Sequence, residues 1–242
     1  MPVSRLEITT VADRPELAHA DIDVGYWPEF MRHNHVSAAY FAQVPETFPA
    51  TCLIATAGDS IVGDAQAVQL AFGSELPAGG WEQAVVQAFS DVRLPATAAC
   101  ALNISVAQTW QGQGVAALLL TALRDATARL GLADLYAPVR PTAKHLEPGT
   151  PMREYASRTR SDGLPADPWL RTHVRAGGLV AGIAPASWVV AGSLAEWREW
   201  TGLPFDRTGP VEVPGALSLV DCSLDEDRAT YVEANIWVRH RM

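Results

Sequence analysis

A mixed α/β fold is predicted by three features of the chain: an early strand hairpin, a central strand–turn–helix unit, and short strands and helices that alternate on either side. The central unit is the clearest of the three. Residues 101–106 form an apolar run typical of a strand in a sheet. Residues 115–130 repeat apolar side chains at i, i+3, i+4 and i+7, which indicates an amphipathic helix, and Gly131 supplies its C-terminal stop.

Ahead of the central unit the pattern predicts further strands and helices. In chain order these are a strand at 5–10, helices at 15–25 and 28–41, hairpin strands at 51–56 and 61–72, and an inserted helix at 81–89. Pro28 suits the first turn of its helix, because the N–H that proline lacks is not needed there. The turn Gly58-Asp59-Ser60 lies between two apolar runs, which is typical of a hairpin.

Beyond the central unit the chain alternates again. The predicted elements are a strand at 132–138, a helix at 169–176, strands at 179–184 and 187–191, a helix at 194–200, and strands at 216–222 and 231–238. A long loop rich in proline and arginine, 139–168, is expected to be functional, since its aromatic and imidazole groups argue against disorder. Because neither a repeat nor a linker divides the sequence, we predict one domain over 1–242. Its core covers about 5–190 and an extension about 191–242.

The composition excludes several classes of protein. A formal net charge of −9 argues against a nucleic-acid partner. The sequence has no apolar run of about 18 residues, so we expect no membrane span, and its N-terminus lacks the apolar core of a signal peptide. Cys52, Cys100 and Cys222 are odd in number and lack the spacing of metal ligands, so we expect free thiols and no metal site. Together these features predict a cytoplasmic protein.

Basic residues are concentrated between Arg140 and Arg175, where the sequence contains seven basic and four acidic side chains. The rest of the chain is acidic. A local positive field of this kind favours an anionic ligand, and a solvated loop surface is the alternative.

The turn inside the central unit is Gln111-Gly112-Gln113-Gly114-Val115-Ala116. A helix N-terminus that is approached through glycine collects free backbone N–H groups, and such a site binds phosphate. Paired glycines also occur in ordinary strand-to-helix turns, so that interpretation stays open. The strand before the turn and the periodic helix after it favour the phosphate site.

These residues fit the Gln/Arg-x-x-Gly-x-Gly/Ala pattern of the GNAT acyltransferase superfamily, and the order of elements over about 5–190 resembles the GNAT fold. The stretches 138–145 and 167–173 are similar to those of a bacterial subgroup named acetyltransferase. The resemblance implies an acyltransferase enzyme of the N-acetyltransferase type, in which the amine of a small molecule or peptide attacks acetyl-CoA directly. It also implies a cofactor site. The pyrophosphate of coenzyme A would lie on Gln111, Gly112, Gln113, Gly114, Val115 and Ala116, and the thioester or pantetheine arm on the backbones of Ile104 and Val106.

The catalytic groups do not follow the usual family pattern. Many members have a tyrosine acid four residues before the glycine of the later helix, and counting back from Gly177 gives His173. Imidazole titrates near neutral pH, so His173 is a candidate acid or base, with a structural histidine as the alternative. Some relatives place a glutamate base in the strand where this chain has Asn103, which cannot act as a base.

Tyr155 is the second catalytic candidate, and His145, Asp162 and Glu233 are further groups that could take the missing role. Each of them has a structural alternative. Sequence alone does not assign these side chains to a cleft.

Two other functions stay open. A histidine four residues before the glycine also resembles the GNAT-like domains of polyketide loading modules, which decarboxylate malonyl-CoA or transfer acyl groups to carrier-protein thiols. The second histidine of that branch is Ala176 here. A non-catalytic acyl-CoA-binding module is the third hypothesis. Strand edges in the extension favour a homodimer.

Overall fold

The computed structural model describes residues 6–25, 27–73 and 75–242. Its strands are β1 (Leu6–Thr10), β2 (Cys52–Ala57), β3 (Ser60–Leu70), β4 (Ala98–Val106), β5 (Asp134–Val139), β6 (Leu179–Ser193), β7 (Gly209–Val211), β8 (Val220–Ser223) and β9 (Arg228–Arg241). Its helices are α1 (His35–Tyr40), α2 (Val44–Thr47), α3 (Gly80–Ser90), α4 (Val115–Arg129), α5 (Met152–Ala156), α6 (Pro168–Arg175) and α7 (Leu194–Thr201).

The nine strands of the described residues join one mixed sheet. Its order runs β1-β2-β3-β4-β5-β9, with β6 along the opposite edge of β9 and β8-β7 continuing on the β5 side. Every pairing is antiparallel except that of β4 with β5. The mixed α/β architecture predicted from the sequence is therefore confirmed.

The parallel pairing of β4 with β5 is short. It covers only Ala98–Cys100 against Asp134–Tyr136, although β4 continues to Val106 and β5 to Val139. The two strands consequently separate toward their C-terminal ends. This opening in the middle of the sheet is called the gap below.

Helices cover both faces of the sheet. On one face, called the α4 face, Leu119 and Leu123 of α4 pack in one cluster with Leu135 of β5. On the other, called the α3 face, Ala84 of α3 packs in a cluster with Trp237 of β9. Full burial of one leucine contributes roughly 1.5–3 kcal/mol, so the three buried leucines of α4 hold this helix firmly against the sheet beside the gap.

The C-terminal extension builds a third cluster around Trp197 of α7 and Tyr231 of β9. Phe30, in a 3₁₀ turn near the N-terminus, joins it with its ring edge-on to Tyr231 at 5.3 Å between ring centroids. The extension is therefore packed against the N-terminal part of the chain.

Two N-terminal helix predictions are wrong in detail. The helix expected at 15–25 is a single 3₁₀ turn at Pro15–Leu17. The helix expected at 28–41 is interrupted at Asn34, whose side chain accepts a hydrogen bond from Ser37 N and so caps the start of α1. Residue 5, where the first predicted strand begins, lies outside the described residues.

Later elements also differ from the prediction. The stretch 139–168 contains the helix α5 and a 3₁₀ turn, so it is more regular than expected. The strands expected at 179–184 and 187–191 are one strand, β6, with a bulge between Ala184 and Trp188. The short strand β7 carried no periodic signal and was not predicted.

Among residues 6–25, 27–73 and 75–242, no helix has the length and apolar character needed to cross a bilayer. Cys52, Cys100 and Cys222 are buried free thiols, as predicted. Among the described strands β6 pairs with β9 alone, and it exposes Leu179 and Val180 at its start. The homodimer stays a prediction.

Candidate active site

The turn that leads into α4 depends on two glycines. Gly112 and Gly114 have φ of 76° and 84°, a left-handed conformation that side chains other than glycine rarely adopt. A Cβ atom at either position would meet no atom within 4 Å. The turn therefore leaves open space in front of the helix N-terminus.

Five consecutive backbone N–H groups are free at this turn. Those of Gly112, Gln113, Gly114, Val115 and Ala116 make no hydrogen bond to any described residue, and the first helical donors are Ala117 N and Leu118 N. The positive end of the α4 dipole lies at the same point. The geometry suits an anion such as a phosphate group.

The side chain of Gln111 fixes the turn to the end of β4. Its Nε2 donates to Val106 O and to Val24 O, both at 3.1 Å. Gln113 Nε2 donates to Thr109 O at 2.9 Å, within the turn itself. Both amide side chains bind protein carbonyls, so the two residues present their backbones to the open space.

The backbone of β4 supplies donors inside the gap. Ala107 N donates to Val62 O, toward β3. Because N–H direction alternates along a strand, the N–H groups of Ile104 and Val106 point away from β3, into the gap. No residue of β5 pairs with them. The structure thus brings these two residues together with the glycine turn, and their role in binding a cofactor stays a prediction.

Polar side chains line β3 and β4 on the α3 face, where they form what is called the open patch: Asp64, Gln66, Asn103 and Ser105. Asp64 lies opposite Ser105, and Gln66 opposite Asn103, in the ladder between the two strands. Asp64 accepts from Asn103 Nδ2 at 2.9 and 3.1 Å, and from Gln66 Nε2 at 3.1 Å. Asn103 Nδ2 also contacts Ser105 Oγ at 3.1 Å.

The electrostatics of Asp64 are unusual. Its residue is 7 % exposed, and no described Arg, Lys or His forms a salt bridge with it. Burial raises the pKa of its carboxyl, although hydrogen bonds from Asn103, Ser105 and Gln66 act in the opposite direction. The open patch thus contains a buried carboxyl group that forms no salt bridge with any described cation.

Sequence reasoning missed Asp64 because it looked for a base on β4, where Asn103 stands. One signal was available. Asp64 and Gln66 are polar at alternating positions in the largely apolar middle of β3, so both side chains lie on the same face of the sheet. Buried polar groups at this spacing mark a site to inspect.

Beyond the gap the α3 face carries a second polar group, called the closed cluster: Arg140, Tyr231, Glu233 and Asn235. Glu233, 1 % exposed, accepts from Arg140 Nε at 2.9 Å, Tyr231 OH at 2.6 Å and Asn235 Nδ2 at 2.9 Å. Arg140 Nη2 donates to Gly215 O at 2.8 Å. Glu233, a stand-in base in the sequence analysis, is thus an ion-pair partner.

Two tryptophans also lie on the α3 face near β4. Trp81 Nε1 donates to Leu102 O of β4 at 3.0 Å, and its ring meets Trp188 edge-on at 4.9 Å between centroids. Trp188 Nε1 is buried without a partner among the described residues. The pair forms an apolar wall with one unused donor.

His173 is 2 % exposed near the C-terminal end of α6, where its Nδ1 lies 3.0 Å from Nε2 of the buried His240. Burial, together with His240, lowers the pKa of His173 to about 3. Burial and the nearby Arg124 lower the pKa of His240 to about 4. Both rings are therefore neutral near pH 7, which disfavours His173 as an imidazolium acid.

Tyr155 is 7 % exposed and its OH donates to Asp167 Oδ2 at 2.9 Å. Burial and Asp167 raise the pKa of this phenol. Asp167 also caps α6 by accepting from Trp169 N and Leu170 N. Tyr155 therefore contacts the start of α6, whereas His173 lies near the end of the same helix. Asp167 is six residues before His173, which corresponds to about 9 Å along the helix axis.

The remaining candidates are on the surface or held by the protein. His145 and Asp162 are exposed. Lys144, which the sequence placed in a positive loop, is buried, and its Nζ donates to the backbone oxygens of Glu147 and Leu217 at 2.8 and 2.7 Å. Arg158 pairs with Glu147 and with Glu154. Much of the positive charge expected for an anionic ligand is therefore engaged within the fold.

Comparison with known proteins gives one similar curated protein over the whole length. An arginine N-acetyltransferase of Aspergillus versicolor, avaD, is 29% identical over an alignment of 269 positions, which covers 96% of this chain and 93% of the relative. No protein-family model matches the chain. This relative is fungal, and the bacterial source predicted from the sequence stays a prediction.

Two solved structures share the fold. The loading GNATL domain of CurA from Lyngbya majuscula superimposes with a TM-score of 0.63 at 16% identity, covering 98% of this chain and 96% of that one. The GphF GNAT-like decarboxylase, solved in complex with isobutyryl-CoA, gives a TM-score of 0.60 at 19% identity and covers 98% of both chains. The chain thus has the GNAT-like fold of these two structures, and its similarity to the arginine N-acetyltransferase supports an acyltransferase enzyme.

Proposed function

We propose that the protein is an acetyl-CoA-dependent N-acetyltransferase that acts on the amine of a small molecule. One observation carries the proposal: five free backbone N–H groups lie at the start of α4, directly beside a gap lined by the N–H groups of Ile104 and Val106. The first set suits the pyrophosphate, and the second suits the amide-bearing pantetheine arm or the thioester carbonyl.

In this proposal the acyl donor and the acceptor approach the gap from opposite faces of the sheet. Donor phosphates at the start of α4 lie on the α4 face, and the arm enters the gap from there. The thioester carbon then faces the α3 face, where the open patch lies. The acceptor nitrogen attacks that carbon, the C–N bond forms, the C–S bond breaks with its electron pair on sulfur, and the thiolate takes a proton.

A small cationic amine is the acceptor class that we propose first. The relative avaD is named as an arginine N-acetyltransferase, so arginine is the first compound to test. The three buried free thiols fit a reducing compartment, and we accordingly place the enzyme in the cytoplasm.

The alternative function is the loss of CO₂ from malonyl-CoA, which the position of His173 in the sequence indicates. The structure gives it less support, because His173 is buried against His240 and its pKa is lowered to about 3. A base or acid for that reaction has to contact the reacting acyl group.

Thermal denaturation with acetyl-CoA, malonyl-CoA and free coenzyme A tests the donor. A ligand at about 100 times its Kd stabilises the protein by roughly 2.7 kcal/mol, which raises Tm visibly. Mass spectrometry of arginine and other small amines after incubation with acetyl-CoA then tests the reaction. An acetylated amine supports the proposal, and conversion of malonyl-CoA to acetyl-CoA alone supports the alternative. Absence of any Tm shift contradicts both.

Two glycine variants locate the donor site. Gly114→Trp fills the open space before α4, whereas Gly131→Trp places the same side chain at the opposite end of that helix, also at positive φ and also in open space. Both changes place a side chain at a positive-φ position, so only the difference between them is informative. We expect loss of the acetyl-CoA shift in Gly114→Trp only; loss in both or in neither contradicts the placement.

A further inference from the structure

We infer that the open patch binds the reacting nitrogen of the acceptor as an alkyl-ammonium group, and that the carboxylate of Asp64 takes its first proton. The acyl-transfer part of this inference rests on the proposed function. The binding part stands on the open patch alone, which makes the two parts separately testable.

The hydrogen-bonding pattern of the patch requires a donor. An ionised carboxylate only accepts, so the amide nitrogens of Asn103 and Gln66 face Asp64 and their oxygens face away from it. Asn103 Oδ1 and Gln66 Oε1 are both buried, and neither has a partner among the described residues. Unsatisfied buried acceptors cost free energy, and a ligand that brings N–H groups removes this cost. An ammonium group has three N–H donors for these oxygens and the carboxylate.

When Asp64 is ionised, the charge balance of the patch favours a cation. Glu233 in the closed cluster has Arg140 at 2.9 Å, whereas no described cation pairs with Asp64. A buried carboxylate is strongly disfavoured without a counter-charge. A protonated amine supplies that charge, and a neutral alcohol of the same shape does not. The patch therefore selects ammonium over neutral ligands.

The patch also has the correct position. Asn103 precedes Ile104, whose N–H points into the gap, and successive side chains of a strand lie on opposite faces. Ile104 packs on the α4 face, so Asn103 is on the α3 face beside the opening. An amine on the patch and a thioester in the gap would meet at the end of β4.

Every proton of the reaction is accounted for when Asp64 accepts the first one. The ammonium gives one proton to the carboxylate, which leaves a neutral amine with a free electron pair. Attack forms the C–N bond and breaks the C–S bond. The second proton leaves nitrogen for the thiolate sulfur, so the products are an amide, a thiol and a protonated Asp64, which returns its proton to water.

Binding of a simple cation tests the patch without any acyl transfer. We would titrate the isotope-labelled protein with n-butylammonium and, separately, with n-butanol, and follow the side-chain NH₂ signals of Asn103 and Gln66 by NMR. We expect saturable shifts of both signals with n-butylammonium and none with n-butanol. Equal shifts with both compounds, or no shift with either, would overturn the inference.

Matched variants test Asp64 itself. Asp64→Asn and Asp59→Asn remove one carboxylate each from the same β2–β3 hairpin, and Asp59 is exposed in its turn. We expect Asp64→Asn to weaken n-butylammonium binding at least tenfold and Asp59→Asn to leave it unchanged. A retained affinity in Asp64→Asn contradicts the role of the carboxylate. The wild-type comparison with n-butanol remains decisive even if Asp64→Asn folds poorly.

Kinetics then test the proton transfer. With an amine that the wild-type enzyme acetylates, we expect Asp64→Asn to lower kcat/KM at least about 100-fold and to abolish the acidic limb of its pH profile. The acetyl-CoA-induced Tm shift should stay the same. If acetylation proceeds but both variants behave alike, Asp64 is not the base and the proposed function stands. If no amine is acetylated yet n-butylammonium binds the patch, the proposed function fails and the binding site stands.

Discussion

The open patch and the closed cluster lie on the same face of one sheet, on either side of the gap, and each contains one buried carboxylate. Glu233 in the closed cluster has an arginine, a phenol and an amide as partners, and no buried side-chain atom of its four residues lacks a hydrogen bond. Asp64 has two amide partners, and two amide oxygens beside it have no partner among the residues that the structure describes. This difference suggests that the closed cluster stabilises the fold, whereas the open patch is suited to bind a ligand.

Breaking the closed cluster should produce the largest loss of stability. Glu233→Ala leaves the guanidinium of Arg140 largely buried without its carboxylate, and removing one partner of a buried pair costs about 3–5 kcal/mol. Asp64→Asn removes an unpaired charge and should change stability by less than about 1 kcal/mol. Urea denaturation of both variants measures the contrast. Equal losses would mean that the two clusters do not differ in this way.

Acid should lower the stability of the fold through a third buried polar group, the pair His173 and His240. Their folded pKa values of about 3 and 4 lie below the unfolded value of about 6.5. Between these values the unfolded chain binds more protons than the folded one, so stability is full above pH 6.5 and falls as the pH drops toward 4. The expected loss at pH 4.5 is roughly 2.5 kcal/mol for each histidine.

Thermal unfolding from pH 7 to pH 4.5 measures this loss. In His240→Gln the slope of stability against pH should flatten, whereas His145→Gln, at an exposed histidine, should keep the wild-type slope. A slope that is unchanged in His240→Gln would assign the acid sensitivity to other groups. Asp64 acts in the opposite direction, since its raised pKa means that the folded chain holds this proton more readily than the unfolded chain does. Asp64→Asn is therefore the second control, and it should steepen the slope rather than flatten it.

A smaller effect within the closed cluster is expected from Tyr231→Phe. The variant removes the donor to Glu233 and also the oxygen that accepts from Leu217 N at 2.9 Å. Loss of one partner of a buried hydrogen bond costs about 1–3 kcal/mol. Chemical denaturation should show this loss, with kcat/KM for the amine kept within about twofold at full folding. A large decrease in kcat/KM would mean that the closed cluster takes part in the reaction.

The smallest effect on stability is expected from Gln66→Met in the open patch. The change removes an amide oxygen that has no partner in the described part of the chain, together with one donor to Asp64, so stability should change by less than about 1 kcal/mol. The KM for the amine should rise severalfold while that for acetyl-CoA stays constant. An unchanged KM for the amine would place the acceptor elsewhere.

The sequence predicted the glycine turn and α4 closely, because both depend on neighbouring residues. Gly112 and Gly114 have the left-handed conformation that the turn needs, and α4 begins at Val115 as expected. The apolar period of three and four then carries the helix to Arg129, one residue short of the predicted end.

Long-range pairing created what the sequence did not predict. Asp64 meets Asn103 across 39 residues, Arg140 meets Glu233 across 93, and His173 meets His240 across 67. No local pattern contains these separations. His173 was therefore assigned from its distance to Gly177 alone, without the second histidine that neutralises it.

The position of β9 in the chain has a consequence for how the protein folds during synthesis. Residues 228–241 pair with β5, β6 and β8, all of which are translated earlier. Strands β1 to β4 can pair as soon as residue 106 has left the ribosome, but β5 then lacks its antiparallel neighbour until residue 241 emerges. The exposed edge of β5 must wait for more than 90 further residues, so we expect chaperone contacts and slow folding at this stage.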